Sequence, residues 1–242
     1  MTFDCTNSIL ELITLLYWSG LFGAVPMELQ SGMALVGDLL QFIGVFVSFS
    51  IAYVAYRGVR QTESPSLLRL ATAFIFLGFG FLVEGFVGLA QLVPSLPLAA
   101  TAVVVGGLLL ETTGYFFLAF SHAVDVMLSK KMGAALLVFP VISLSGAQLA
   151  DVLSILSFYF VLYGVVETVY SYARTRKPDT LLIALGLSLI GGGTFFQWLS
   201  LLYQYVGVLS LLQIILQEMG LLILFTPVLR FAVGGVKVDG PI

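Results

Sequence analysis

Seven apolar runs of membrane-spanning length follow one another along this chain, and they limit its fold more than any other feature. A transmembrane helix needs about 20 consecutive apolar residues, and only helices and closed barrels satisfy every backbone polar group inside a bilayer. The runs therefore predict an all-α polytopic membrane protein with seven transmembrane helices. The predicted spans are 33–56, 67–91, 99–124, 133–149, 150–172, 180–202 and 207–230.

The composition agrees with a single integral membrane domain over residues 1–242. The chain is 60% hydrophobic and only 10% charged, whereas about 25% of the residues in a soluble domain are charged. The lipid bilayer is therefore its expected surrounding. The net charge of −3 argues against nucleic-acid binding, which needs a basic patch. An eighth apolar stretch, 9–25, either crosses the membrane or lies along its surface.

Every lysine and arginine falls on one side of the predicted spans. They follow the first, third, fifth and seventh spans, and the loops at the other ends, such as "VPSLPL", have none. Because cytoplasmic loops are enriched in Lys and Arg, the first long span is expected to start outside a cell membrane and the C-terminus to be cytoplasmic. In two of the basic loops, Pro65 and Pro178 are predicted to start the next helix.

Short sequence matches indicate an internal duplication. The loop "YRGVRQTESPSLL" (56–68) resembles "YARTRKPDTLL" (172–182), with Tyr56 and Arg60 matching Tyr172 and Arg176. Three further pairs occur in the same order, namely "PMELQSG" with "PVISLSG", "LGFGF" with "IGGGTF", and "LLLETTG" with "IILQEMG". They predict three-helix repeats over about 26–126 and about 140–232.

The run at 133–149 is predicted to be a helix that links the two repeats. An odd number of linking helices makes the repeats parallel, related by an axis along the membrane normal. This plan resembles that of SWEET-type sugar transporters, and microbial rhodopsins share the count of seven spans. The resemblance is architectural only, because the last span has no lysine for a retinal Schiff base and no SWEET-like proline signature is present.

Ionisable residues within the predicted spans indicate a buried polar site. Glu111 lies about 18 Å and Glu218 about 16 Å below the outer ends of their helices, at about 1.5 Å per residue. Carboxyl groups near the midplane are costly and suggest function, although hydrogen-bonded ties between helices are the alternative. The residues predicted to bind a solute or couple protons are Glu111, Thr112, Thr113, Gln217 and Glu218, with Glu84 and Gln197 at the outer mouth. Gln213 lines the same site and is expected to be a tie between helices.

Two further groups are weaker candidates. Glycines near the midplane, flanked by Phe79, Phe195 and Trp198, either let helices approach closely or leave a cavity with aromatic walls. The only histidine, His122, lies one turn before Asp125, so the two form either a proton relay or a solvated pair at the membrane surface. One His and one Cys are too few for the usual metal sites, and no metal or cofactor is predicted.

The functional hypothesis from the sequence is a small-solute or proton-coupled transporter with a midplane site between two halves. The alternative is a non-catalytic membrane subunit or sensory module that packs against other membrane subunits or a second copy of itself. A protein that handles quinones or lipids in an aromatic cavity is a further alternative. An enzyme is not expected, because P-loop, G-x-S-x-G, H-E-x-x-H and C-x-x-C motifs are missing from the sequence.

Overall fold

Six long α-helices make up the part of the chain that the computed structural model describes, residues 27–91, 100–120, 145–202 and 206–233. Each contains a stretch long and apolar enough to cross a membrane. The protein is therefore a multi-pass membrane protein. The helices are α1 (Met27–Thr62), α2 (Pro65–Gln91), α3 (Ala100–Ala119), α4 (Gly146–Thr175), α5 (Pro178–Leu202) and α6 (Val206–Val233).

The helices present apolar side chains outward, as a bilayer requires. Phe46 is 73% exposed, and Phe86, Tyr159 and Val166 are also exposed. Most of the buried polar side chains lie between the helices instead. This arrangement is the reverse of a soluble helical bundle, and it follows from the cost of leaving polar groups in hydrocarbon.

The turn between α1 and α2 has the same geometry as the turn between α4 and α5. Glu63 and Arg176 both adopt a left-handed conformation, with φ of 53° and 54°. Their backbone N–H groups donate to carbonyl oxygens four residues earlier at 2.7 and 2.8 Å. The next helices then begin at Pro65 and Pro178, as predicted. Corresponding positions in the turns are thus 113 residues apart, whereas matching Tyr56 to Tyr172 implied a larger offset.

The start of α4 corrects one predicted boundary. Ser145 is the N-cap of α4, and its hydroxyl and the Gln148 side chain form a reciprocal capping box, which satisfies two free backbone N–H groups. Residues 146–149 therefore belong to α4 rather than to the predicted span 133–149. Residues 133–144 of that span lie outside the described residues, as does the stretch 9–25.

The six helices form a closed ring. Each helix packs against the next helix in the chain, and α6 packs against α1. The contact between α5 and α6 is especially close at Gly186 and Gly220, where an added Cβ would lie 2.9 and 2.6 Å from a backbone oxygen of the other helix. Small residues allow such approach in membrane helices.

The inside of the ring is divided into an apolar part and a polar part. We call the end with Arg60, Arg176 and Arg230 the basic end. The apolar part lies nearer to it, and the polar side chains lie farther from it along each helix. The buried apolar residues of this cluster are Val47, Ile51, Ala52, Phe74, Leu77, Phe81, Tyr115, Val161, Leu187, Ile190, Leu221 and Leu224.

Candidate functional site

A layer of polar side chains crosses the ring, with members from all six helices. We call it the polar layer. Most of its members are less than 10% exposed, so the surrounding helices cover them. It consists of Gln41 on α1, Glu84 on α2, Glu111 and Thr112 on α3, Ser154 and Ser157 on α4, Thr194 and Gln197 on α5, and Gln213, Gln217 and Glu218 on α6.

The centre of the polar layer is a contact between Glu84 and Glu111. Gln41 Nε2 donates a hydrogen bond to Glu84 Oε2 at 2.8 Å. The Glu111 carboxyl lies beside the Glu84 carboxyl and also beside the Gln197 amide of α5. One α3 side chain, Glu111, thus connects α1 and α2 to α5 on the opposite side of the ring. Three of the predicted residues, Glu84, Glu111 and Gln197, come together here.

Glycines make room for the two long polar side chains of this centre. A Cβ at Gly80 would overlap Glu111 Cγ and lie 3.2 Å from the Gly107 carbonyl oxygen. A Cβ at Gly193 would likewise overlap Gln217 Cγ and lie 2.9 Å from the Gln213 carbonyl oxygen. Both contacts require glycine, because the obstruction includes backbone that cannot move aside.

The seam between α3 and α4 is held by hydroxyl groups. The Thr112 hydroxyl lies 2.9 Å from the Ser157 hydroxyl and donates to the Leu153 carbonyl at 3.2 Å. Its single proton is shared with the Leu108 carbonyl of its own helix, which lies closer, at 2.7 Å. These bonds tie the two helices together at the level of the polar layer.

The seam between α6 and α1 has a different arrangement. The Glu218 carboxyl packs directly against Gly44, where an added Cβ would overlap both carboxyl oxygens. Glu218 is 4% exposed, and its Oε2 atom has no hydrogen-bond partner among the described residues. This seam therefore holds a buried carboxyl group where the other seam holds a pair of hydroxyls.

Several buried polar atoms share this lack of a partner. In soluble and membrane proteins alike, such atoms are few, and each calls for a water, an ion, a proton or a ligand. The Glu111 side chain is only 1% exposed, so open solvent does not satisfy it. Within the described part of the chain, the unpartnered atoms are Ser48 Oγ, Glu111 Oε1, Tyr115 Oη, Ser154 Oγ, Gln197 Oε1, Gln217 Nε2 and Glu218 Oε2.

The charges of the polar layer are acidic. Lysine and arginine are missing from 1–56, 70–129, 132–173 and 178–229, the stretches that supply the layer. Its three carboxyl groups therefore have amides, hydroxyls and each other as neighbours, and carboxyl groups in such a setting can hold or exchange protons. Groups of three or more His, Cys, Asp or Glu side chains that could bind a metal ion are not found among the described residues.

The structure separates the predicted residues into those inside and those outside the layer. Thr113 lies outside, because it is partly exposed and its hydroxyl donates only to Leu109 of its own helix, at 2.7 Å. Phe79 is 46% exposed and packs on Phe49 at the outer surface. Phe195 contacts Trp198 and Phe158 of α4. His122 and Asp125 lie outside the described residues. The predicted residues that lie inside are Glu84, Glu111, Thr112, Gln197, Gln213, Gln217 and Glu218.

Several residues in or beside the polar layer were not predicted from the sequence, and three of them have a specific contact. Gln41 is a single amide in a long apolar run, and only its bond to Glu84 reveals a role. Tyr115 is one helical turn from Glu111 and lies beside Gln217, with its ring 1% exposed. Gly44 leaves the space that Glu218 fills. A search for polar residues one turn from Glu111 would have found Tyr115.

An apolar groove of about 430 Å³ runs along the outer side of α1, with Phe225 of α6 at its edge. Phe46 lines it, and Gly44 lies 200° away on the helix at about 100° per residue. The groove therefore faces away from the polar layer. Its lining residues are Phe42, Val45, Phe46, Phe49, Ser50, Tyr53, Val54 and Phe225.

Comparison with known proteins identifies one related segment. Residues 39–123 match the model of a family of unknown function (DUF7521). The matched segment contains most of α1 and all of α2 and α3, and so includes Gln41, Glu84 and Glu111. Curated proteins and solved structures give no match to this chain.

Proposed function

We propose that the protein is a proton-coupled carrier of small solutes and that the polar layer is its site. The observation that carries this proposal is the burial of Glu111 and Glu218 between membrane-spanning helices, each with an oxygen atom that lacks a partner among the described residues. Ionisable groups at this depth commonly mark proton relays and substrate pathways. Amide and hydroxyl groups beside them supply hydrogen bonds for a polar solute.

The closed surroundings of the layer fit one stage of a transport cycle. The helices enclose Glu111 and Glu218, and the apolar cluster separates them from the basic end. A carrier that works by alternating access exposes its site to one side of the membrane at a time. A conformation in which the site is closed toward the basic end corresponds to one of those two states.

The likeness between α1–α3 and α4–α6 supports a carrier built from two halves. The turns at Glu63 and Arg176 and the glycine contacts at Gly80 and Gly193 agree in detail. The family match at 39–123 covers one such three-helix unit. The α3–α4 and α6–α1 seams are where the halves meet, and rocking of one half against the other would open the layer at those seams.

The test is proton movement by the purified protein in liposomes that contain a pH-sensitive dye. Small neutral and cationic solutes are added one at a time to wild type, Glu111→Gln and Glu218→Gln. Thr113→Ala is the matched control, because its hydroxyl binds only its own helix. We expect a solute-dependent pH change in wild type and Thr113→Ala that is lost in both glutamine variants.

If the wild-type protein is folded in the liposomes and gives no pH change with any solute, the proposal is overturned. A pH change that persists in both glutamine variants would also overturn the role of the polar layer. The first outcome would favour the alternative function, a non-catalytic subunit or sensory module, since a protein of that kind needs no transport site.

A further inference from the structure

We propose that Glu84 loads protons into the polar layer from the end of the ring opposite the basic end and passes them to Glu111. This inference rests on the proposed function, and it assigns an order and a direction to the groups of that site. It also assigns Gln41 as the positioning residue for Glu84. The steps below concern the first half, α1–α3.

The carboxyl groups of the first half lie at different distances from the basic end, and only Glu111 is fully buried. Asp38 lies farthest from the basic end and packs against Gly88, one turn beyond Glu84 on α2. Asp38 and Glu84 are both partly exposed, whereas Glu111 is 1% exposed. A proton that enters from this end of the ring therefore passes Asp38 and Glu84 before it reaches Glu111.

Gln41 holds Glu84 in position for the transfer. Its Nε2 donates to Glu84 Oε2 at 2.8 Å, while the Glu84 carboxyl lies beside that of Glu111. In the transfer, the O–H bond of protonated Glu84 breaks and a new O–H bond forms on the Glu111 carboxylate. The negative charge moves to Glu84, where the hydrogen bond from Gln41 stabilises it.

The groups beyond Glu111 are hydrogen-bonding side chains, followed by an apolar cluster that ends the proton path. Glu111 lies beside Gln197, whose Oε1 has no partner among the described residues. Tyr115 lies beside Gln217 and near Glu218, and its hydroxyl is similarly unpartnered. Below them, toward the basic end, the apolar cluster around Leu77 and Ile190 closes the interior. Apolar constrictions of this kind exclude water.

The second half carries the same positions without the acids. Gln197 follows Gly193 by four residues as Glu84 follows Gly80, and Gln217 packs on Gly193 as Glu111 packs on Gly80. An amide has nearly the shape of a carboxylic acid but does not exchange a proton in this way. Proton loading is therefore a property of the first half; at the matching positions the second half has amides, and its one carboxyl group in the layer, Glu218, lies at the α6–α1 seam.

Side-specific labelling tests the direction. Single cysteines replace Asp38, Glu84 and Leu187 in a Cys5→Ser background, and a membrane-impermeant maleimide is applied to spheroplasts and to inverted vesicles. Since the basic end is expected in the cytoplasm, Asp38→Cys and Glu84→Cys should react in spheroplasts only. Leu187→Cys, in the apolar cluster, should react in neither. Reaction of Glu84→Cys from inverted vesicles alone would overturn the proposed direction.

Infrared difference spectra between acidic and alkaline buffers test the proton-loading step without any transport. The band of protonated carboxylic acids should change with pH in wild type, lose a component in Glu84→Gln, and shift in Gln41→Leu, which retains the Glu84 carboxyl. The other titratable groups near Glu84 are Asp38, Glu111, Tyr115 and Glu218, so Glu111→Gln is recorded in parallel. Identical spectra for wild type and Glu84→Gln would overturn the assignment.

The two proposals fail in different ways. If labelling and infrared spectra agree with expectation but no solute moves protons in liposomes, the carrier function is wrong and proton loading at Glu84 remains. If solute-driven proton movement depends on Glu111 and Glu218 while Glu84→Gln has wild-type spectra and transport, the carrier function stands and the loading role of Glu84 is wrong.

Discussion

The first half of the protein, α1–α3, has acids where the second half, α4–α6, has amides. Glu84 and Glu111 face each other in the first half, and Gln197 and Gln217 occupy the matching positions beside Gly193. The backbone contacts around both pairs are nearly the same. The packing of the polar layer therefore does not require carboxyl groups at these positions. The presence of carboxyl groups in the first half then needs a reason other than packing.

The two seams between the halves also differ in chemistry, but here the carboxyl group, that of Glu218, comes from the second half. The α3–α4 seam joins Thr112 to Ser157 by a 2.9 Å contact between hydroxyls. The α6–α1 seam places the Glu218 carboxyl against Gly44, which offers no side-chain group. One seam is thus fastened by hydrogen bonds, and the other contains a group whose interactions would change with its protonation.

The largest expected effect comes from filling the glycine contacts that the halves share. Gly80→Val and Gly193→Val each place methyl groups against backbone, at 3.2 Å and 2.9 Å from a carbonyl oxygen for the Cβ alone. Such overpacking should cost about 3 kcal/mol of unfolding free energy in each half. The measurement is thermal unfolding of the purified protein in detergent. Gly106→Ala, in open space, is the control and should stabilise α3 by about 0.5–1 kcal/mol.

A large loss of unfolding free energy for Gly80→Val, with little change for Gly193→Val, would contradict the likeness between the halves. The two sites would then differ in packing as well as in chemistry. Equal losses would leave the exchange of acid for amide as the main difference at the centre of the polar layer.

Exchanging the acids and amides tests the chemical difference itself. Glu84→Gln with Glu111→Gln gives the first half the side chains of the second, and proton movement in liposomes should fall about 100-fold, the usual contribution of a positioned proton-transfer group. Gln197→Glu with Gln217→Glu makes the reverse exchange and should keep proton movement measurable. Transport is assayed by the internal pH dye, and thermal unfolding reports whether each variant is folded.

Proton movement that survives the first exchange would contradict a special role for the acids of the first half. If proton movement is lost only in the Gln197→Glu, Gln217→Glu variant, and this variant unfolds like wild type, the amides of the second half are the essential groups.

The sequence predicted the helices better than their contacts. Apolar length identifies membrane spans, and Pro65 and Pro178 begin helices because proline fits the first helical turn. The sequence placed Glu84 and Gln197 at the outer mouth of the site, and only the structure shows that both lie beside the Glu111 carboxyl. Thr113 could not be placed from its type, because a rotation of about 100° from Thr112 turns it out of the layer. The match of Tyr56 with Tyr172 implied a different offset from that of the turns, because apolar sequences offer many chance identities. The turn geometry and the glycine contacts show which positions correspond in space.

A smaller effect is expected at the fastened seam. Thr112→Val keeps the shape of the side chain and removes its hydroxyl, which is 2.9 Å from that of Ser157 and 3.2 Å from the Leu153 oxygen. Hydrogen bonds between membrane helices average about 0.6 kcal/mol. The coupling energy from a double-mutant cycle with Ser157→Ala should be of that size, measured by unfolding in detergent. A coupling near zero would mean that hydroxyl bonds do not distinguish this seam from the α6–α1 seam.

The smallest effect is expected where the halves differ only at the surface. Arg230 Nη1 lies 3.5 Å from Asp179 Oδ1, with the side chains 65% and 59% exposed, and this ion pair ties the start of α5 to the end of α6. In the first half, Ser66 follows Pro65 as Asp179 follows Pro178, so the start of α2 offers no carboxylate there. Exposed ion pairs gain little because water and salt screen them. Asp179→Asn should therefore lower the unfolding free energy by less than about 0.5 kcal/mol, and added salt should remove the difference between the variant and wild type. A larger, salt-independent loss would show that this contact fastens the second half, and that the halves differ in stability at the basic end as well as in chemistry at the polar layer.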